Sequence, residues 1–535
     1  MSALDFIGLA LIIPLVDFLF IQDSFGSFLD DNSRYLFLFP SEYNPKLLLA
    51  IYFSLIYLIK NILLAVLFFI QQSLCKKLQS LYEVKVFNHF LSIDFEEHNK
   101  LEPSEILRII SYDINYFADG IFLKGGQLFS EILLLVSLVI FLYFIEPYSF
   151  ILIFSVIVLL AFNFFLIRKF LSTLAVSLQQ VESDLLAKIQ ESFRSVKSIY
   201  SLGAKNFFLN YFSTSSEDRA SKRAIRDSVI NMPKYITEGI VFAIIPLAFF
   251  YLGNADGLLE NLSMIGFFAA LLVRMVPLGN RIITSVSYLQ TAIPSINKII
   301  QLNDTIKLNL ASSNLIIASN FKKIVIKDLN FFYERDQKIL ENINLEIKKG
   351  EKIAISGESG SGKTTFLDLI LGLYKPSSGS IEFFFDSLKI SPTEIERNFF
   401  GYVPQDNYLY HANIDDNVSF GRKYVKGPKL KSVLSDFKLE NLYSHNKTKD
   451  MRDMTLSGGQ RQRLGVARGL FNSPSLIVMD EATSSLDDET KRIILEKIFS
   501  NNPDATFIIV SHDKDILGMC DRQLVIRDAC LTNIN

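Results

Sequence analysis

The sequence predicts two halves of unlike chemistry: a membrane-embedded α-helical half, then an α/β half built around a Gly-rich loop. Three observations predict it. Six apolar stretches, near 3–21, 47–70, 121–145, 149–167, 236–253 and 262–280, are each long enough to cross a bilayer at about 20 residues per helix. The Gly-rich run from Gly357 to Thr364 lies between a strand-like KIAISG and a helix-like LDLILGL. A second apolar strand, LIVMDE, ends in Asp480 and Glu481.

The membrane half comes first. A soluble bundle accounts poorly for six such runs. Lys76, Lys77, Arg168 and Lys169 flank the long connections after the second and fourth spans, which places those connections in the cytoplasm. The 22–46 loop is mostly acidic, and Asp256 and Glu260 sit in a short loop without Lys or Arg, so both face out. The chain enters its first span almost at once, with Asp5 inside it and no basic segment ahead of it, so a cleavable signal peptide is not expected. A polar linker over 306–322 separates the membrane domain, 1–305, from a β-rich domain over 323–535.

Composition narrows the function classes. The net charge of -2 and the lack of a basic surface give no reason to expect nucleic acid as a partner. Cys75, Cys520 and Cys530 are too scattered for a disulfide framework or a metal site, and read as free thiols.

In the second half, a strand running into GESGSGKT and then a helix is the context of a phosphate-binding loop. Its backbone N–H groups (Gly357, Glu358, Ser359, Gly360, Ser361, Gly362, Lys363, Thr364 and Thr365) point at phosphate oxygens. Lys363 adds a positive charge, and the Thr364 hydroxyl can ligate Mg2+. Asp480 emerges at the same sheet edge and would hold the magnesium, directly or through water. Glu481 is placed to polarise an attacking water. A lone Asp-Glu pair reads as a solvated helix start; one directly after a buried strand and downstream of this loop does not.

These residues argue for a nucleotide hydrolase, and LSGGQ followed by RQRLGVARGL adds something a plain P-loop enzyme lacks. Ser457 can cap the following helix, Gly458 and Gly459 let its backbone approach an anion, and Gln460 closes the segment. The set resembles the ATP-binding cassette family, and six spans followed by one cassette resembles its exporter half-transporters. The resemblance implies a type I exporter-like fold, ATP as ligand, and a homodimer in which each LSGGQ loop caps the γ-phosphate held by the other copy. It also implies that Tyr333 in FFYER stacks on adenine and that Gln405 in GYVPQD senses magnesium. Asp487 corresponds to the D-loop carboxylate, and His512 after TFIIVS to the γ-phosphate switch. With Glu481 and His512 both present, two competent sites are expected. The stretch KTKDMRDMT departs from the exporter pattern ahead of LSGGQ, and coupling helices are expected near Asp94–Glu102 and Tyr200–Asn206.

The transported substrate has to be read from charges in the spans. Lys60, Lys234, Arg274 and Arg281 lie inside or beside them, where a charge costs about 2.5–3.5 kcal/mol and normally faces a cavity or a partner. Arg274 and Arg281, almost two helical turns apart, share a face. For Lys60 a structural pair with Asp5 competes with a substrate role, and Lys234 reads first as snorkelling to the interface. Four positive charges on one cavity suit an anionic, phosphorylated headgroup. The stretch RMVPLGNRIITS, Pro14 in the first span and the acidic outer loop resemble the flippases of lipid-linked oligosaccharides in bacterial N-glycosylation. That resemblance implies a polyprenyl-pyrophosphate glycan as substrate, surrounding membrane lipids as partners and the inner membrane as location, with the cassette in the cytoplasm. An exporter of another lipid, a peptide or a drug is the alternative.

Overall fold

The computed structural model describes residues 45–145, 149–253, 262–309, 316, 320–333, 338–386, 388–410, 412–422, 433–440, 456–483 and 486–534. The first expected span, with Asp5 and Pro14, lies outside these residues. So do most of the acidic 22–46 loop, Asp256, Glu260 and the KTKDMRDMT stretch.

The chain divides into two compact units, one comprising 1–93 and 97–310, the other 94–96 and 311–535. Among the described residues of the first unit, long helices run through the other five expected spans. They are α1 (Pro45–Ser92), α5 (Gly126–Ile145), α6 (Ser149–Arg194), α8 (Lys205–Gly253) and α9 (Leu262–Asn309). Short helices lie at the bends: α2 (Phe95–Asn99), α3 (Pro103–Arg108), α4 (Ile114–Ala118) and α7 (Val196–Ser201). Pro103 stands at the first position of α3, where its missing N–H costs nothing.

Apolarity and length explain the long helices. Within Ile51–Ser92 an 18-residue window has a mean hydropathy of 2.3. Leu58, Ile62 and Phe69 on α1 are 61%, 56% and 71% exposed, a surface that is stable only against hydrocarbon. Continuing these helices past the apolar stretch lets them pack on one another: Val86, Phe90, Ile109, Ile114, Phe117 and Ile299 form a buried cluster.

The third expected span, 121–145, differs in its first part. Two π-helical runs, Ile109–Asp113 and Asp119–Gly125, interrupt the approach to α5. Ala292 of α9 presses so closely on Gly120 that a Cβ there would lie 3.0 Å from the alanine Cβ, so the irregular backbone coincides with close helix contact.

The second unit has two sheets among its described residues. An antiparallel sheet in the order β2-β1-β4-β5 comprises β1 (Phe321–Phe332), β2 (Lys338–Lys348), β4 (Ser378–Phe385) and β5 (Leu388–Ile390). The second sheet, ordered β10-β9-β3-β8-β7-β6, comprises β3 (Lys352–Ser356), β6 (Phe400–Val403), β7 (Leu476–Asp480), β8 (Thr506–Val510), β9 (Arg522–Arg527) and β10 (Cys530–Asn533). Its strands are parallel except for β10. Both β7 and β8 are buried at every position, the continuous apolar reading of a sheet covered on two faces.

Register decides where the chemistry can lie. Ile355 of β3 and Asp480 of β7 both pair with Val510 of β8, and Val403 of β6 pairs with Met479. Four parallel strands therefore end level, and the residues after them converge on one sheet edge, where doubly wound folds bind ligands.

Candidate active site

The loop after β3 runs into α10 (Lys363–Ile370) and is shaped by glycine. Gly357 and Gly362 have φ of 152° and 96°, and a Cβ at Gly357 would lie 2.5 Å from the Ile526 carbonyl oxygen. Only glycine fits there. The Lys363 ammonium donates to the carbonyls of Gly357 and Glu358, at 2.8 and 2.9 Å, and closes the loop into a ring. Ser361 Oγ is buried in this cradle without a hydrogen-bond partner. Gly360 faces open space. N–H groups at a helix start, an ammonium and an unsatisfied buried hydroxyl fit a phosphate chain.

The Thr364 hydroxyl donates to Asp480 Oδ2 at 3.0 Å. Burial pushes the Asp480 carboxyl above the usual range, opposed by the Thr364 hydroxyl and Lys363 and reinforced by Glu481. Asp368 lies one turn beyond Thr364 on α10, and burial together with the Asp480 charge pushes it up to about 6. Burial also raises Tyr402, to about 12. Two carboxylates share a desolvated corner, a field that favours a divalent cation. Among the described residues no group of three His, Cys, Asp or Glu could hold a metal ion. Thr364, Asp480 and Gln405 fit a magnesium that takes its remaining oxygens from phosphate and water.

Glu481 directly follows β7 with φ 45°, an uncommon conformation for a non-glycine residue, held by its N–H donating to Val510 O at 3.1 Å. The twist turns its carboxylate toward neighbours from two other strand ends. Gln405 Nε2 donates to Glu481 Oε2 at 2.9 Å, and His512 Nε2 lies 3.5 Å from Glu481 Oε1. The structure thus brings Gln405, Glu481 and His512 together beside Thr364 and Asp480.

Tyr333, just after β1, is 53% exposed; its hydroxyl bonds Thr365 Oγ1 at 3.0 Å and its ring meets Phe331 and Tyr374 edge to face. The LSGGQ segment opens α12 (Gly458–Leu470) with a full capping box. Ser457 Oγ accepts from the Gln460 N–H at 3.2 Å, and Gln460 Oε1 accepts from the Ser457 N–H at 2.9 Å. The N–H groups of Gly458 and Gly459 remain at a helix N-terminus without an intrahelical partner. Asp487 caps α13 (Asp488–Asn501) by accepting from the Thr490 N–H at 2.9 Å, and that bond holds its carboxyl below the usual range.

The basic residues of the first unit fall into different settings. Lys60 is 7% exposed, with its ammonium 4.4 Å from the Tyr57 ring centroid. Lys234 is exposed and sits 5.7 Å from the Tyr235 ring. The Arg274 side chain lies outside the described residues. Arg281 is paired: its Nε lies 2.8 Å from Glu131 Oε1, and its Nη2 donates to Glu131 Oε2 at 3.2 Å. A charge that α5 already neutralises adds little to an anion site. Glu131 is 150 positions away, and nothing local in the sequence pairs the two.

Sequence reasoning also missed Asp368, which an i+4 step from Thr364 on a helix beginning at the loop would have located. It missed Lys491 as well, whose contacts are described below.

Comparison with known proteins agrees with this geometry. The model of the ABC transporter transmembrane region matches residues 9–255, and the ABC transporter model matches 340–484. The heterocyst differentiation ATP-binding protein HepA of Nostoc is 28% identical over 69% of this chain and 62% of its own length. ABC transporter B family member 29, chloroplastic, of Arabidopsis thaliana is 34% identical over 40% of this chain and 35% of that protein. The alpha-hemolysin translocation protein HlyB of Escherichia coli is 37% identical over 38% of this chain and 30% of that protein. The chain thus spans under two thirds of the length of these relatives. A bacterial Atm1-family ABC exporter solved with ATP bound superposes with a TM-score of 0.79 at 18% identity, covering 93% of this chain and 90% of that one, and shows the fold. The chain belongs to the ABC transporters: an exporter-type membrane region followed by a P-loop ATP-binding domain.

Proposed function

We propose that this protein hydrolyses ATP to drive a substrate across a membrane. One observation carries the reading: the ends of β3, β6, β7 and β8 place Lys363, Thr364, Asp480, Glu481, Gln405 and His512 around one phosphate-shaped cradle. Lys363 and the loop N–H groups orient the β- and γ-phosphates, and the Tyr333 ring receives adenine. Magnesium, when bound to Thr364, Asp480 and Gln405, supplies charge that offsets the phosphate oxygens. Glu481 takes the proton of the attacking water, and His512, 3.5 Å from that carboxylate, contacts the γ-phosphate.

By the same family likeness two copies form the working unit, each presenting Ser457, Gly458, Gly459 and Gln460 at the start of α12 to the ATP of the other. Tyr200 and Leu202, at the end of α7, are 82% and 80% exposed, apolar surface suited to cover by a second copy. The ATP-binding domain then faces the cytoplasm.

For the substrate we read an anionic lipid-linked headgroup, a polyprenyl-pyrophosphate oligosaccharide at the inner membrane. Support comes from the buried Lys60, from Arg274 on the same helix as Arg281, and from the resemblance carried by RMVPLGNRIITS. Lys234 stays a candidate at the rim. Arg281 now enters as a positioning residue held by Glu131. Reconstituted protein should move such a lipid with ATP, and Lys60→Met with Arg274→Met should lower that movement without lowering basal ATP turnover. Equal movement by the double variant would remove the assignment. Movement of a peptide or drug in its place would favour the alternative, an exporter of another substrate class.

A further inference from the structure

Lys491 lies on the first turn of α13 and plays no part in the chemistry above. Its side chain is 15% exposed, and its ammonium reaches Asp513 Oδ2 at 3.1 Å and Asp488 Oδ1 at 2.9 Å. The Asp488 side chain is 83% exposed, so water screens that contact; Asp513 is 26% exposed and screened less.

Each partner is fixed at its other end. Asp487 caps the helix that carries Lys491, and the Lys491 N–H donates to Asp487 O at 2.9 Å. Asp513 follows His512 directly. It caps α14 (Lys514–Gly518) through the Asp515 N–H at 3.0 Å, while its own N–H donates to Ser511 Oγ at 3.1 Å. The ion pair therefore joins the start of α13, beside Asp487, to the loop that presents His512 to Glu481.

We propose that Lys491 and Asp513 form a positioning pair that holds His512 in reach of Glu481 and ties that placement to Asp487. Without the pair the His512 loop keeps its fold through the Ser511 and Asp515 contacts but loses its lateral restraint. The 3.5 Å separation between His512 and Glu481 is then free to lengthen. Misplacement of a reacting group by about 1 Å can cost on the order of a hundredfold in rate.

The inference rests on the ATP-hydrolysis reading, and the experiment separates the two. In lipid nanodiscs the full chain is assayed for ATP turnover, KM for ATP and melting temperature as parent, Lys491→Met, Lys491→Arg, Asp513→Asn and the Lys491→Met/Asp513→Asn double. Asn at 513 keeps an oxygen for the Asp515 cap and removes the charge. We expect each single neutralisation to lower kcat about tenfold with KM within about twofold, Lys491→Arg to recover about half, and the double to be no slower than either single. Unchanged single variants, losses that multiply in the double, or losses in which KM and melting temperature move with kcat would overturn the pair's positioning role. A parent chain without ATP turnover would overturn the hydrolysis reading itself.

Discussion

The two units of this molecule place their charges by opposite means. In the ATP-binding domain, the polar residues that matter sit within a few positions of a strand end, and the backbone delivers them. Lys363 bonds carbonyls five and six residues away, and Ser457 bonds the residue three along. In the membrane unit, charges are matched by tertiary contact. Arg281 meets Glu131 across 150 positions, and Asp113 is reached by Gln179 66 positions away and by Ser295 across 182. Local delivery leaves a motif in the sequence; tertiary matching leaves a scatter of charges whose partners only the fold reveals.

The largest effect should come where local delivery is chemical. Glu481→Gln removes the proton acceptor and keeps the hydrogen-bonding shape, so ATP turnover should fall by about 10²–10⁴-fold while ATP binding persists. A variant retaining a tenth or more of the parent rate, at about one decade of loss, would break the assignment. In the membrane unit, Glu131→Ala strands Arg281 beside α5. Discounted for the 40% exposure of Arg281, the cost should be about 1–3 kcal/mol by denaturant unfolding in detergent. Replacing both, as Glu131→Leu with Arg281→Met, should recover most of it; a double variant as unstable as the single would contradict pairing as the reason the arginine is there.

Smaller effects sharpen the same contrast. Ser457→Ala deletes one half of a capping box and should cost about 1 kcal/mol, read as faster amide exchange at Gln460 with exchange at α13 unchanged. The thiols give a last check. Burial pushes Cys520 up to about 11, so almost none of it is thiolate at pH 7.5, whereas Cys530 is exposed. A maleimide should label Cys530 within minutes in folded protein and reach Cys520 only as the pH approaches 11 or on unfolding. Early labelling of Cys520 would mean that the α14 region opens.

How much was legible follows the same division. The expected strands at 352–357 and ending at Asp480 coincide with β3 and β7, because buried strands of a covered sheet are continuous apolar runs. The meeting of Gln405 with Glu481, 76 positions apart, was legible only through resemblance, since strand order cannot be read from either motif alone. The left-handed twist at Glu481 left no trace, because a glutamate is not the residue that φ selects. Two π-helical runs before α5 were also invisible; the second coincides with the close approach of Ala292 to Gly120, a tertiary event. The Glu131 partner of Arg281 was hidden for the same reason, since it lies on another helix.

The central claim is that ATP turned over at Glu481 moves a lipid-linked headgroup. It is tested most directly by the ATP-dependent passage of a labelled polyprenyl-pyrophosphate oligosaccharide across proteoliposomes holding the parent chain or Glu481→Gln. The account predicts passage that requires ATP and is lost in the variant. ATP turnover by the parent without passage of that lipid would contradict the substrate, and equal passage with and without ATP would contradict the pump.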